Sequence, residues 1–181
     1  MRNDMAYILL SRQQIKQKVE QLGKTITETY RGKNPLMICV LKGSIVFFAD
    51  LIREIDTPVE VETMTASSYG AATVSSGVVS VVSKLDEKIR DRDVILVEDI
   101  IDSGRTIAFI KEDMLKKGVR SLKVCALLDK PSRRVADIKP DYLGFEVPDA
   151  FVVGYGLDYD QKYRNFPDIG VLKPEIYGKS C

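Results

Sequence analysis

Histidine is absent from these 181 residues. That absence excludes Ser-His-Asp and Cys-His nucleophilic chemistry and any metal centre built on imidazole, so proton transfer has to run through carboxylates, lysines or tyrosines. Cysteine is scarce and odd in number: Cys39 and Cys125 fall in apolar strand patterns and are expected to be reduced core thiols, while Cys181, at the far end, is expected to be mobile. No stretch approaches the ~18 apolar residues of a membrane span. The apolar part of MRNDMAYILLSRQQ is too short for a signal peptide, so a cytoplasmic protein with no membrane partner is expected. An excess of one charge is missing as well. With 27 Lys and Arg against 26 Asp and Glu, the net charge of +1 argues against a protein whose business is nonspecific nucleic-acid binding. What is present is ordinary for one soluble globular domain with a sizeable core: 45% apolar and 29% charged residues.

The most informative stretch is Val94 to Thr106, VILVEDIIDSGRT. Val94-Ile95-Leu96-Val97 is a continuous, β-branched apolar run suited to a strand covered on both faces, as in a parallel sheet. Two carboxylates, Glu98 and Asp99, stand where that strand is expected to end, and a third, Asp102, follows. Then come Ser103, Gly104, Arg105 and Thr106, and after them apolar residues at helical spacing, Ile107, Ile110 and Met114. Strand, acidic turn, small-residue loop and helix in this order place a ligand site outside a strand's carboxyl end. The first N–H groups of the helix have no internal partner and favour an anion. Carboxylates beside an anion cradle are reconciled if Glu98 and Asp99 accept hydrogen bonds from sugar hydroxyls or hold Mg²⁺ while a phosphate lies beyond them. A ribose 5-phosphate has both ends. The plain alternative is a strand-to-helix turn whose acids favour the helix N-terminus. A Walker A loop is excluded, since Arg105 stands in place of its lysine and the leading glycine is missing.

The remaining chain reads as alternating strands and helices. A capping box, Ser11 with Gln14, opens a helix from about Gln13 to Tyr30 with the stripe Ile15, Val19, Leu22, Ile26 and Tyr30. Strands are expected at 35–41, 59–65, 78–82, 121–128, 141–147 and 151–154, and a helix at 45–55. Lys42-Gly43-Ser44 is a second strand-to-helix junction, either an anion site or a simple turn. Residues 66–77, ASSYGAATVSSG, are a lid or a solvated hairpin connection. Residues 84–93 and 132–139 are expected to be charged, solvated connections. Lys130 alone is a surface lysine at a strand's carboxyl end, Phe151 alone a core residue, and 158–164 a charged surface turn. Gly154-Tyr155-Gly156 is not a dinucleotide loop, because Tyr159 occupies the third glycine's place.

VILVEDIIDSGRT resembles the phosphoribosyl-diphosphate signature of the phosphoribosyltransferases, in the form carried by hypoxanthine-guanine enzymes. LKGS (41–44), SSYG (67–70), LLDKP (127–131) and PDAFVVGYGLDYDQKYRN (148–165) match that family in order over nearly the whole chain. The resemblance implies an α/β type I phosphoribosyltransferase fold: a mostly parallel twisted sheet flanked by helices in a single domain, 1–181. A small hood over the base site would come from the N-terminal residues and about 140–181, and a mobile loop would span about 66–77. It implies purine salvage from 5-phosphoribosyl 1-diphosphate and a 6-oxopurine, with Mg²⁺, in a homodimer or homotetramer.

The residue roles are likewise implied. Lys42-Gly43, in a peptide that can be cis in relatives, and Arg164 contact diphosphate, and Ser68-Tyr69 belongs to the closing loop. Glu98 and Asp99 hold ribose hydroxyls and, with Asp158, the Mg²⁺. Ser103, Gly104, Arg105 and Thr106 cradle the 5-phosphate, and Asp102 shares the purine N7 proton. Lys130 donates to the 6-oxo group, Phe151 stacks on the purine, and the Val152 backbone reads its edge. The tail, 170–177, is expected to pack near the base. A xanthine-preferring relative and a noncatalytic sensor of phosphoribosyl diphosphate are the alternatives. The balanced charge and the presence of Asp102, Lys130 and Phe151 weigh against the sensor.

Overall fold

The computed structural model describes residues 1–68, 79–82 and 85–178. Its centre is a six-stranded sheet in the order β4-β3-β2-β5-β6-β7. The strands are β2 (Leu36–Leu41), β3 (Glu60–Ser68), β4 (Val79–Val82), β5 (Asp93–Ile101), β6 (Ser121–Asp129) and β7 (Tyr142–Glu146). All neighbours run parallel except β3 and β4, which pair antiparallel.

Helices cover both faces, as a largely parallel sheet with apolar central strands requires. On one side α1 (Arg12–Tyr30) and α2 (Ile45–Arg53) pack Ile15, Val19, Ile26, Phe47 and Leu51 against Met37, Cys39, Ile95, Val97 and Cys125. On the other, α3 (Asp86–Ile89) and α4 (Arg105–Lys116) pack Leu85, Ile89, Ile107, Ile110 and Met114 against Ile38, Leu96 and Val124. Cys39 and Cys125 are free and buried. The capping box forms as expected: Gln14 N donates to Ser11 Oγ at 3.4 Å and Ser11 N to Gln14 Oε1 at 2.9 Å.

A smaller antiparallel sheet joins β1 (Met5–Leu10), β9 (Ile169–Leu172) and β8 (Val152–Val153) in that order. Met5, Val153, Phe166 and Leu172 fill its core, and α5 (Pro174–Tyr177) follows β9.

Several expectations are corrected. Strand β5 does not stop at Glu98 but runs to Ile101. Its alternation breaks at Asp99: Val97 and Ile100 both pack toward α1 and α2, while Leu96 and Ile101 pack toward α4. Strand β3 likewise runs past Thr65 to Ser68, so the expected loop begins later; its residues 69–77, with Tyr69, and Cys181 lie outside the described residues. Residues 84–93 are no mere solvated connection, because Leu85, the N-cap of the short helix, and Ile89 within it are core. Nor is 132–139 simply solvated: Ile138 is buried, Arg134 pairs with Asp129 at the end of β6, and Arg133 pairs with Asp102 and Asp149.

Candidate active site

The carboxyl ends of β2 and β5 and the amino end of α4 open on one cleft of ≈ 430 Å³. Its walls include Lys42, Gly43, Glu98, Asp99, Asp102, Ser103, Gly104, Thr106, Asp158 and Arg164. Ten of the expected site residues are thus brought together.

Each is held for an identifiable reason. Beyond β2 the Leu41–Lys42 peptide is cis, one bond before the Lys42–Gly43 link expected to take that form. Gly43 is pressed from two sides. A Cβ there would lie 1.7 Å from Asp99 Oδ2, and a Cβ on Gly156 would lie 2.0 Å from the Gly43 carbonyl oxygen. Only glycines allow the three segments bearing Lys42, Asp99 and Asp158 to meet at this spacing. Ser44, fully buried, donates its hydroxyl to the Val40 carbonyl and fixes the turn into α2.

Gly104 caps α4 in the left-handed region, at φ 79°, with no side chain of its own to cap the helix. Arg105 N makes a long 3.5 Å bond to Ser103 Oγ, and the remaining first-turn N–H groups lack intrahelical partners, as an anion site requires. The Ser103 carbonyl accepts from Val135 N at 3.0 Å and Ala136 N at 3.2 Å, which anchors the loop from behind. Arg105, by contrast, is exposed and not part of the cleft wall; at most its backbone serves the cradle.

The charges are arranged unevenly. Ile100 N donates to Asp99 Oδ1 at 2.8 Å, whereas Glu98 Oε2 is buried with no hydrogen-bond partner among the described residues. Burial and the adjacent Asp99 carboxylate push the Glu98 carboxyl well above the usual range. An unsatisfied buried acceptor is costly, and a donor or cation brought by a ligand would relieve it. Arg164 donates to the Gly156 carbonyl at 2.8 Å and pairs with Asp158 Oδ1 at 2.8 Å; Asp158 Oδ2 accepts from Gln161 N at 2.9 Å. Asp102 Oδ1 stands 2.8 Å from Arg133 Nε, poorly aligned for a hydrogen bond.

Lys130, Phe151 and Val152 lie beside this cleft rather than in its wall. Lys130, at the end of β6, is buried and donates Nζ to the Ala150 carbonyl at 2.7 Å. Phe151 is partly exposed; its ring stacks on Tyr177 at 4.9 Å and meets Tyr159 edge-on at 5.6 Å. Leu172 N donates to the Phe151 carbonyl, so the tail does pack against this aromatic corner. Sequence reasoning missed Arg133, Asp149, Gly156 and Tyr177. Only the last was signalled, by the apolar run from 170 to 177.

Three comparisons bear on this geometry. Residues 7–160 match the family described as phosphoribosyl transferase domain. The hypoxanthine-guanine phosphoribosyltransferase of Bacillus subtilis (strain 168) is 52% identical over 177 residues, 98% of either chain. That of Streptococcus thermophilus (strain CNRZ 1066) is 50% identical over 176 residues, 97% of this chain and 98% of its own. A crystal structure of a hypoxanthine phosphoribosyltransferase from Staphylococcus aureus superposes with a TM-score of 0.93 at 45% identity, covering 98% of this chain and 96% of that one.

Proposed function

The chain belongs to the phosphoribosyltransferase family and acts in purine salvage as a hypoxanthine-guanine phosphoribosyltransferase, and from that premise we propose how its own residues divide the work. The reaction moves the 5-phosphoribosyl group of 5-phosphoribosyl 1-diphosphate to N9 of hypoxanthine or guanine, giving IMP or GMP and diphosphate.

One observation carries the assignment of roles. Glu98, whose Oε2 has no hydrogen-bond partner among the described residues, and its neighbour Asp99 share a cleft with the N-terminus of α4, where Gly104 brings no side-chain cap. The carboxylates receive the ribose hydroxyls, and the N–H groups of Ser103–Thr106, with the Ser103 and Thr106 hydroxyls, receive the 5-phosphate. Lys42, Gly43 and Arg164 face the diphosphate end, where fixed positive charge and backbone dipoles stabilise a leaving anion. Lys130 donates to the 6-oxo group and Phe151 supplies an apolar face for the purine. An ammonium has three donors, so the bond to Ala150 leaves others for the base. Bond breaking to diphosphate runs ahead of bond making, and Asp102 takes or shares the N7 proton so that N9 can attack C1. Ser68, the last residue of β3, and Tyr69, outside the described residues, complete the proposed substrate contacts.

Mg²⁺ fits these residues. Among the described residues no group of three or more Asp, Glu, His or Cys is placed to hold a metal unaided. Mg²⁺, however, is commonly bound through one or two carboxylates plus substrate phosphates, and Glu98 Oε2 has no hydrogen-bond partner among the described residues. Glu98, Asp99 and Asp158 would hold it together with the substrate, and when bound it neutralises charge on the diphosphate.

The 1–181 domain, its hood built from the N-terminal residues and about 140–181, a homodimer or homotetramer, and a cytoplasmic site of action complete the proposal. No described helix is long and apolar enough to cross a membrane. Incubation with Mg²⁺, 5-phosphoribosyl 1-diphosphate and hypoxanthine, guanine or xanthine in turn, with diphosphate and nucleotide quantified, tests it. Formation of IMP and GMP is expected. Xanthosine monophosphate as the main product would shift the substrate class, and binding of the activated sugar without turnover would make the chain a sensor.

A further inference from the structure

Asp102, Lys130 and Phe151 come from three separate segments, and one side chain outside the proposed catalytic set ties these segments together. Lys130 opens the 3₁₀ turn Pro131–Arg133. The turn brings Arg133 back to the side of Lys130, and both side chains reach the same Asp149 oxygen. Arg133 Nε is 2.8 Å from Asp102 Oδ1, and its Nη1 is 3.3 Å from Asp149 Oδ1. Lys130 Nζ is 4.0 Å from that same Asp149 oxygen and bonds the carbonyl of the next residue, Ala150. Phe151 follows directly. One guanidinium therefore spans from the carboxylate facing N7 to the wall that meets the 6-oxo group and the purine ring.

The pairs are about half exposed, at 52%, 44% and 53% for Arg133, Asp102 and Asp149. Screened pairs of this kind contribute little to folding, so the bridge is not what holds the domain together. Arg134 cannot take its place: it is turned beneath Gly104 and committed to Asp129. Nor would lysine serve, being a point charge without the planar fork that reaches two carboxylates at once.

We propose that Arg133 is a positioning residue for the purine half of the site. It orients the Asp102 carboxylate and sets its distance from the Lys130–Phe151 wall, so that N7 and the 6-oxo group meet their partners together. This rests on the reading of the site given above.

The test uses the full chain with Arg133→Leu, Arg133→Lys, Asp149→Asn and the double variant Arg133→Leu/Asp149→Asn. Hypoxanthine is varied at saturating 5-phosphoribosyl 1-diphosphate, then the reverse. Misplacing a catalytic group by an ångström costs roughly 100-fold, so Arg133→Leu should lower kcat/KM for hypoxanthine by about 10- to 100-fold while KM for the activated sugar and the melting temperature hold. Arg133→Lys should recover only a minor part of the loss. Asp149→Asn should weaken the same parameter, and the double variant should be no worse than Arg133→Leu alone, because both act through one bridge. Equal losses toward both substrates with a lower melting temperature would mean a structural role and overturn the proposal. An active wild type with an unaltered Arg133→Leu overturns the Arg133 assignment alone; a wild type that makes no nucleotide overturns the reading of the site, and this with it.

Discussion

A methyl group added at residue 43 would land 1.7 Å from Asp99 Oδ2 and 2.6 Å from its Cγ. Real Cβ atoms essentially never come within 3.0 Å of another heavy atom, so in Gly43→Ala either Asp99 retreats by more than an ångström or the backbone at 43 lifts. Retreat strains the 2.8 Å bond from Ile100 N to Asp99 Oδ1, and a hydrogen bond to a charged group is worth about 1.5–3 kcal/mol. Lifting is opposed by the close approach of Gly156 to the Gly43 carbonyl, and forcing extra atoms into a packed site costs about 1–3 kcal/mol. Whichever route is taken, a loss of about 2–3 kcal/mol is expected, and for a domain of this size that lowers the melting temperature by roughly 5–10 °C. Activity should fall further, by about 100-fold in kcat/KM for 5-phosphoribosyl 1-diphosphate, since Lys42 and Asp99 are both displaced from the cleft. Thermal unfolding and steady-state kinetics on the same preparation read both quantities. Asp99→Ala removes the clashing carboxylate together with its bond to Ile100 N, so in that background adding Gly43→Ala should cost little further stability, and activity stays lost. Gly43→Ala melting with the wild type and turning over normally would refute the packing argument.

Other residues make separate predictions. Asp102→Asn should lower turnover by roughly 10²–10⁴ while leaving binding of the Mg²⁺-bound activated sugar nearly intact, read by single-turnover kinetics beside direct titration; normal turnover removes Asp102 from the role. Glu98 carries a carboxyl whose folded-state pKa is raised by burial and by Asp99, so its ionisation opposes folding as pH rises. Glu98→Gln should therefore unfold at a higher temperature than the wild type at pH 8, with a gap that closes toward acid pH, yet transfer phosphoribosyl groups poorly. Asp93 shows the opposite sign: Arg120 and Ser121 hold its carboxyl down to about 2. Its contribution is full above pH ~4 and lost as pH falls toward 2; discounted for the exposure of Arg120, it amounts to about 1–2 kcal/mol. Denaturant titration of Asp93→Asn should show that deficit at pH 7 and little at pH 2.

What could be read in advance follows from the range of the forces involved. Val94–Val97 declares a doubly covered strand through its own composition, and Ser11 with Gln14 declares a helix start through a bond spanning three residues. The junction at 103–106 was legible for the same reason: small residues and a helix start are local facts. Interactions that join distant segments left no such trace. Arg133 and Arg134 read as solvated because their carboxylate partners, Asp102, Asp149 and Asp129, are brought to them only by the sheet. Carboxylates suggested a strand end at Glu98, but Ile100 and Ile101 find packing on opposite faces and draw β5 onward. Leu85 and Ile89, two apolar residues in a charged stretch, needed the neighbouring sheet and α4 to show that they are core. The close approaches at Gly43 and Gly156 are likewise invisible without coordinates.

Among the described strands, β1 pairs only with β9, Met5 opposite Leu172 and Leu10 opposite Ile169. Arg2 with Asp168 and the Asp4 carbonyl with Lys173 N close the same seam. That seam ties residues 166 positions apart, as Arg2 to Asp168 shows, whereas β5 and α4 follow one another directly, so closing the seam carries the larger entropic cost. Because β9 is the middle strand of its sheet, loosening it would free β1 and β8 together, and with β8 the adjoining Phe151.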